Sequence, residues 1–386
     1  TKAERDANLI ALTRAGVRIA TIVGKSSDRQ VTQVLETTLE ENLNMIADSI
    51  AYLKAHGLSV FFDAEHFFDG FKSNPDYALR CLSAAAEAGA SRLVLCDTNG
   101  GTLPNEITLA VEAARRQTTV PLGIHAHNDS GVAVANTLAA VNAGVTQVQG
   151  TINGYGERCG NANLCTIIPN LKLKMGIDCI SDEQMTKLTE VSHFVSEAAN
   201  LVPDASLPYV GSSAFSHKGG LHVSGVTKWA DSYQHIDPAK VGNQQRVVVS
   251  ELSGKGNIIY KAKERGLSLP LEGKEAQKLL EKVKLLESRG FQYDNAEASF
   301  DLLVQRSQPG YKPPFELVDY MVVVERIRRP STRKSNEETL SEATVKVRVG
   351  GEIIHTAAEG NGPVNALDKA LRKALVPFYP QLAKVH

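Results

Sequence analysis

Residues 120–129, VPLGIHAHND, decide the fold class. An apolar run ends in two histidines and an Asn-Asp pair, which is typical of a buried strand with polar side chains at its carboxyl end. Helical segments separate this stretch from others of the same kind along the chain. These are VRIATIVG (17–24), LSVFFDAEH (58–66), SRLVLCDT (91–98) and VTQVQGTING (145–154). Apolar strands that alternate with helices predict a parallel sheet covered by helices.

Two of the intervening helices carry start signals. Thr38 and Glu41 form a capping-box sequence ahead of apolar residues at helical spacing. Asn74 and Pro75 are typical of an N-cap followed by a proline in the first turn. Five strand–helix units fit part of a (β/α)8 barrel, which needs eight strands, and an open doubly wound sheet fits the same periodicity.

Polar side chains follow the predicted strands at their carboxyl ends. They are Lys25, Glu65, Thr98, His127 and Asn153. In parallel α/β folds this edge of the sheet carries the active site. We therefore expect the functional residues of this chain to meet there.

The pattern changes twice after the predicted sheet. From about residue 180 it is helical, with a Gly-rich interruption at 216–225 and a charged helix at 273–290. Strand patterns at 315–327 and 343–360, an exposed loop at 328–342 and a final helix then indicate a small α+β domain. We predict a partial barrel over 1–178, helical linker subdomains over 179–285 and the α+β domain over 286–386.

Composition excludes several classes of protein. The 386 residues carry a formal net charge of -1, which favours neither nucleic acid nor an anionic membrane. No apolar run approaches the roughly 20 residues that a membrane span needs. The five cysteines contain no CxxC pair, which indicates a reduced, cytoplasmic chain. The chain begins with Thr1 inside a helical pattern, and we expect a fragment of a longer protein.

The two histidines of the quoted stretch point to a metal. His125 and His127 are two apart on a strand, so both side chains lie on one face. Two neutral imidazoles there would share one divalent cation, and Asp129 would orient one of them. The alternative is that one imidazole caps a backbone group and the other only packs. Asn161 or Asn163, in the Gly-rich stretch NGYGERCGNANL (153–164), would add an amide oxygen.

Two carboxylates and a hydroxyl complete the candidate site. Asp63 and Glu65 share one strand face, where a carboxylate acts as a general base or forms a structural ion pair. Thr98 ends the next strand, where its hydroxyl would bind a substrate carboxylate. Asp97 beside it is a candidate turn former.

Five motifs together resemble one family of enzymes. They are HAHNDSG, NGYGERCGNANL, FDAEHFFDG, CDTNGG and SHKGGLHVSG. Their pattern is similar to the acyl-CoA-condensing branch of the DRE-TIM metallolyases, which contains the 2-isopropylmalate, homocitrate and citramalate synthases. The sequences of residues 63–79 and 93–104 most resemble those of the citramalate synthases in that branch. The C-terminal part resembles the family's regulatory domain, and the resemblance covers essentially the whole chain.

The resemblance implies a reaction, its cofactor and its partners. The family condenses acetyl-CoA with a 2-oxo acid and hydrolyses the thioester; for the citramalate synthases that acid is pyruvate and the product enters isoleucine biosynthesis. It further implies a TIM barrel, a divalent cation (Mg, Mn, Zn or Co), a homodimer and isoleucine as allosteric effector. By position His125, His127 and Asn161 match metal ligands, Thr98 matches the residue at the oxo-acid carboxylate, and Glu65 matches the catalytic glutamate. His222 and Tyr233 match linker residues that reach into the partner subunit's site.

One departure from the family is large. The family's first strand carries D-x-x-x-R-D-G, which supplies an aspartate to the metal and an arginine to the oxo oxygen, and these 386 residues contain no such motif. By the resemblance, residues 17–24 correspond to the family's fourth strand, so three strands are missing. We expect the chain as given to be inactive or nearly so.

Three other functions fit parts of the pattern. One is a 2-isopropylmalate synthase, because the oxo-acid pocket is not defined by these motifs. A second is a lyase of the same superfamily, against which the regulatory domain argues. The third is a non-catalytic, amino-acid-binding regulatory protein that has kept the effector domain.

Overall fold

The computed structural model describes residues 2–217, 222, 225, 226, 228, 229, 232–247, 274–293, 296–308, 310–325 and 340–385. It divides into two compact units, residues 1–248 and 249–386. The three-domain division at residues 178 and 285 stays a prediction. Among the described residues, no helix is long and apolar enough to cross a membrane.

A five-stranded parallel sheet forms the centre of the first unit, and its strands lie in chain order. They are β1 (Ile19–Lys25), β2 (Ser59–Glu65), β3 (Arg92–Asp97), β4 (Leu122–Ala126) and β5 (Gln147–Gln149). This confirms the predicted α/β sheet and its five strands. Helices connect each strand to the next, as parallel pairing requires.

Helices cover one face of this sheet. Around the strands lie α1 (Ala7–Arg14), α2 (Asp28–Gln33), α3 (Leu39–Ala55), α4 (Phe67–Ser73), α5 (Pro75–Glu87), α6 (Pro104–Gln117), α7 (Ala133–Asn142) and α8 (Leu164–Pro169). Short 3₁₀ helices at Ala3–Arg5 and Ile152–Gly154 and a π-helical turn at Asn170–Lys174 complete this part. Ile50 and Leu53 of α3 and Phe62 of β2 are fully buried in the core between helices and sheet.

The predicted helix starts are confirmed. The Thr38 side chain accepts a hydrogen bond from the Glu41 N–H at 3.2 Å and begins α3. Asn74 Oδ1 accepts from the Tyr77 N–H at 3.2 Å ahead of α5, whose first residue is Pro75. Each cap satisfies a backbone donor that the first helical turn leaves unpaired.

Two strands end earlier than their apolar runs predict. β4 ends at Ala126 and β5 at Gln149, because the segment around 160–163 folds back against both strand ends. It makes single bridges from His127 to Asn161 and from Thr151 to Asn163. Gly150 permits the approach, since a Cβ there would lie 2.5 Å from the carbonyl oxygen of Ala162.

The rest of the first unit is helical and irregular. It contains α9 (Asp182–Met185), α10 (Leu188–Ala198) and a 3₁₀ helix at Pro238–Val241. A two-stranded parallel pair, β6 (Ser216–His217) and β7 (Arg246–Val247), was not predicted. Most of the Gly-rich segment at 216–225 and all of 248–273 lie outside the described residues.

The described residues of the second unit begin with α11 (Lys274–Glu287) and α12 (Glu297–Arg306), which precede a three-stranded antiparallel sheet. The sheet consists of β8 (Glu316–Glu325), β9 (Leu340–Val349) and β10 (Glu352–Gly360), with β9 in the middle. Helix α13 (Pro363–Leu375) follows, and a 3₁₀ helix at Pro380–Lys384 closes the chain. These elements confirm the predicted α+β domain.

The antiparallel sheet packs its own core between α13 and β9. Val345, Val347 and Val349 are buried there against Ala370 and Ala374, as their alternation with charged residues predicts. The loop predicted at 328–342 is too long at its end, because β9 already begins at Leu340 and Ser341 is fully buried. Residues 328–339 of that loop, and the last two residues of the strand pattern at 315–327, lie outside the described residues.

Candidate active site

One layer of side chains crosses the sheet at the carboxyl ends of the strands. The register pairs Lys25 with Glu65, Cys96 with His125, and His125 with Gln149. The next layer consists of Val23, Asp63, Val94, Gly123 and Gln147. Residues that alternate along a strand share a face, so the polar residues of both layers lie on the face opposite the helix-covered core.

The two histidines lie together, as their spacing predicts. His125 belongs to β4 and His127 follows the strand end, and their ring centroids are 5.2 Å apart. The His127 N–H donates to the carbonyl oxygen of Asp97 at 3.2 Å, which extends the register one residue past the strand. Both side chains are partly buried at the end of the sheet.

The His125 ring is held by an amide. Its Nδ1 lies 2.9 Å from Oε1 of Gln149, and Gln149 Nε2 donates to Oδ1 of Asp63 at 3.2 Å. Its Nε2 lies 3.5 Å from Nδ2 of Asn161. A chain of four polar side chains therefore runs from Asp63 through Gln149 and His125 to Asn161.

The surroundings of His127 favour its neutral form, which has a lone pair available for a metal. Burial and the neighbouring His125 and Arg158 lower its pKa. Its Nδ1 is buried without a hydrogen-bond partner among the described residues. A neutral imidazole with an unsatisfied buried nitrogen is the form that ligates a divalent cation.

The two candidate amides have different roles. Asn163 Oδ1 accepts from the Cys165 N–H at 2.9 Å and caps α8, whereas Asn161 faces His125. Gly156 makes room for Asn161, because a Cβ at position 156 would lie 2.1 Å from Asn161 Oδ1. Asn161 presents its amide nitrogen to His125, so ligation through the oxygen requires the amide to rotate.

The donor set fits a divalent cation in part. Two imidazoles and one amide are suitable ligands. Among the described residues, no group of three or more His, Cys, Asp and Glu side chains is placed to hold a metal. The residues thus supply neutral donors, and no described carboxylate joins them.

The interpretation that Asp129 orients an imidazole is wrong. Asp129 instead forms a two-point ion pair with Arg158, with N–O distances of 2.8 and 3.0 Å, and Arg158 lowers the pKa of its carboxyl. Arg158 also donates to the carbonyl oxygen of Thr98 at 2.7 Å. Arg158 thereby ties together the loops that follow β3, β4 and β5.

Gln149 is the partner that sequence reasoning missed. The signal was present in VTQVQG, where two glutamines alternate on one face of an otherwise apolar strand. The same reasoning placed Asn153 at the site, but its side chain is buried against Ser192 and Ser196 of α10. Asn153 therefore attaches its loop to α10.

The two carboxylates of β2 share a face and have different partners. Glu65 forms an ion pair with Lys25, the next residue in its layer, and both side chains are about three-quarters buried or more. Asp63 lies deeper, and burial raises its pKa while the hydrogen bond from Gln149 opposes the rise. Of the two, Glu65 lies at the strand end.

Thr98 and Asp97 have different hydrogen-bond partners at the end of β3. The Thr98 hydroxyl oxygen accepts from the His66 N–H at 2.8 Å, which leaves its own proton free to donate. Asp97 is buried and accepts from the Thr102 hydroxyl at 2.7 Å. Asp97 is thus the predicted turn former.

His222 and Tyr233 lie together elsewhere in the first unit. Their rings stack at 4.3 Å with an interplanar angle of 18°, and His217 packs edge-on against His222 at 6.4 Å. Both side chains are exposed.

Three families match successive parts of the chain. Residues 2–195 match the HMGL-like family, 209–290 the homocitrate synthase post-HMGL domain-like family, and 294–382 the LeuA allosteric (dimerisation) domain. Among solved structures, the HMG-CoA lyase of Bacillus subtilis has a TM-score of 0.46 and 21% identity over 51% of this chain and 69% of that chain.

Curated relatives match nearly the whole chain. (R)-citramalate synthase of Geobacter sulfurreducens is 52% identical over 382 residues, which are 99% of this chain and 71% of that protein. Those of Synechocystis and Aquifex aeolicus are 51% and 50% identical, over 99% and 100% of this chain and 71% and 72% of theirs.

The parallel sheet, the paired histidines at its carboxyl edge and the match over 2–195 define an HMGL-like protein of the DRE-TIM class. The sequence identity of about 50% to three (R)-citramalate synthases, over nearly the whole of this chain, identifies the family more narrowly. The chain belongs to the (R)-citramalate synthase family.

Proposed function

We propose that this chain carries the condensing site of an enzyme that joins acetyl-CoA to pyruvate and releases (R)-citramalate and CoA. The observation that carries the proposal is the meeting of His125, His127, Asn161 and Glu65 at one sheet edge in a chain half identical to (R)-citramalate synthases. The family's other 2-oxo acids are less well supported, since five relatives at 44% to 52% identity are all (R)-citramalate synthases.

The residues fit the chemistry. The acetyl methyl of a thioester is a weak acid, so a positioned base must remove its proton, and Glu65 stands at the strand end for that step. The new C–C bond forms to the ketone carbon of pyruvate, whose oxygen becomes the hydroxyl, and water then cleaves the thioester. Thr98 would donate its free proton to the pyruvate carboxylate.

A divalent cation would be held by His125, His127 and Asn161. When bound, it would polarise the ketone of the 2-oxo acid. Imidazole and oxygen donors admit Mg, Mn, Zn or Co.

A chimaera tests the reaction. The 382 matched residues of this chain replace the corresponding segment of the Geobacter sulfurreducens relative, and the hybrid keeps the rest of that protein. With acetyl-CoA, pyruvate and Mn²⁺ we expect citramalate and free CoA. Product from 3-methyl-2-oxobutanoate in place of pyruvate would favour the 2-isopropylmalate alternative, and cleavage of citramalyl-CoA without condensation would favour a lyase.

Substitutions at Asn161 and Asn163 distinguish the proposed metal ligand from the helix cap. In the chimaera, Asn161→Ala is expected to weaken Mn²⁺ binding about 10–100-fold because a donor is lost. Asn163→Ala is the matched control, because it removes the cap of α8 and should cost about 1 kcal/mol of stability with unchanged Mn²⁺ affinity. Calorimetric Mn²⁺ titration and urea unfolding measure the two effects. Equal Mn²⁺ affinity in both variants would contradict the assignment.

We further propose that the second unit binds isoleucine and joins two copies of the chain. The match of 294–382 to the LeuA allosteric (dimerisation) domain supports both roles. Apolar side chains on both faces of β8 are more than half exposed, Tyr320 and Val324 on one face and Met321 on the other, and offer contacts for a second copy. In that dimer the stacked His222 and Tyr233 would reach the partner subunit's site. Isoleucine that neither raises the Tm nor changes the sedimentation coefficient would contradict this proposal.

A non-catalytic amino-acid-binding protein remains the alternative of another class. Thermal stabilisation by isoleucine together with a chimaera inactive on every 2-oxo acid would favour it.

A further inference from the structure

The hydrogen bonds around Gln149 run in one direction. The Gln149 amide turns its NH₂ toward Asp63 and donates to Oδ1 at 3.2 Å, which is the direction that a carboxylate acceptor requires. The amide oxygen then faces His125 Nδ1 at 2.9 Å. Since an amide oxygen can only accept, His125 must carry its proton on Nδ1.

The other side of the ring agrees with this direction. A proton on Nδ1 leaves a lone pair on Nε2, and the donor nitrogen of Asn161 lies 3.5 Å from Nε2. Donors and acceptors alternate without conflict from Asp63 to Asn161. The arrangement is built from three different elements, β2, β5 and β4, whose register fixes the spacing.

We propose that Gln149 is a positioning residue that fixes the Nδ1–H tautomer of His125 and so presents the Nε2 lone pair to the cation. Asp63 fixes the direction of the Gln149 amide. The inference rests on the proposed function for the identity of the ligand, but the tautomer itself is a property of this chain without metal.

The sheet offers a matched control at Gln147. It lies on the same strand and face as Gln149, one layer lower, and pairs in register with Gly123 rather than His125. Its Oε1 is buried without a hydrogen-bond partner among the described residues. Gln147→Leu therefore removes a similar side chain from the same strand without touching His125.

The test measures ¹⁵N shifts of the histidine rings in the 386-residue chain without metal, at about pH 8, where an ordinary imidazole is neutral. His125→Ala assigns the signals. We expect His125 of the unaltered chain to be protonated at Nδ1, Gln149→Leu to move that proton to Nε2, and Gln147→Leu to leave it in place. A Gln149→Leu chain that keeps the Nδ1–H form overturns the proposal, as does an equal effect of Gln147→Leu.

A pair of substitutions guards against a misfolded variant. Gln149→Glu keeps an acceptor for His125 but sets two carboxylates against each other. Adding Asp63→Asn places an amide donor opposite the new carboxylate, so the double variant D63N/Q149E should be folded and should keep the Nδ1–H form. Loss of the Nδ1–H form in the double variant, in a chain with the unaltered far-UV spectrum, counts against the proposal.

Metal titration separates this inference from the proposed function. With Mn²⁺ alone, Gln149→Leu should raise the Kd about 10–100-fold, and Gln147→Leu should leave it unchanged. An unaltered chain that shows the Nδ1–H form and binds no Mn²⁺ would overturn the metal site and still support the positioning role of Gln149.

Discussion

A purified polypeptide of residues 1–386 is expected to release no CoA from acetyl-CoA in the presence of pyruvate and Mn²⁺. The described residues offer the cation two imidazoles and an amide, with no carboxylate among them. Lys25, the cation in the layer of Glu65, is already paired with that carboxylate. Arg158 is likewise paired with Asp129. Neither of these two described cations is therefore free to stabilise the charge that would develop on the oxo oxygen.

Water exclusion is also incomplete. Ile19 and Val23 lie on the β1 face that carries the site, and they are 52% and 63% exposed. Open solvent weakens the electrostatic interactions on which condensation depends. Because the loss of one stabilising donor alone costs about 10²–10³-fold, we expect a rate at least ~10³-fold below that of the chimaera.

Thiol release is measured with a disulfide dye, with the Geobacter sulfurreducens relative and the chimaera as positive controls. Circular dichroism and a cooperative thermal transition establish that the 386-residue chain is folded. CoA release that depends on both acetyl-CoA and pyruvate would contradict the prediction. It would show that these 386 residues suffice for the reaction without an Arg-Asp-Gly motif.

The fold was predictable because its signals are local. Each strand of the parallel sheet is an apolar run, and caps such as Thr38 depend on residues three positions apart. The early end of β4 was not predictable, since it depends on Asn161 bridging to His127 across a long connection. The apolar run alone does not show which distant segment will pair with the end of the strand.

The positions of the candidate ligands were predictable from the sequence, and their hydrogen-bond partners were not. The period of two placed His125 and His127 on one face, as the structure shows. The Gln149–Asp63 hydrogen bond joins residues 86 positions apart, so only the strand register brings them together. The sequence likewise favours a contact between Asp129 and the neighbouring His127. In the structure Asp129 forms an ion pair with Arg158, which lies 29 positions further along the chain.

Glu65→Gln in the chimaera is expected to lower kcat by about 10²–10⁴-fold, the usual contribution of a positioned general base. Glutamine fills the same volume and can still accept a hydrogen bond from Lys25, but it cannot take a proton from the acetyl methyl. KM for pyruvate should change little, because the Thr98 hydroxyl is held by the backbone N–H of His66, which the substitution of the Glu65 side chain keeps.

Lys25→Met is the control that distinguishes the base from the ion pair. Both substitutions break the Lys25–Glu65 ion pair, but only Glu65→Gln removes the carboxylate. If Glu65 is the base, Lys25→Met should keep kcat within about tenfold of the unaltered chimaera, because the proton acceptor is still present. Steady-state kinetics with both substrates varied decide the matter: an equal fall of kcat in the two variants would assign the effect to the ion pair and would remove Glu65 from the catalytic step.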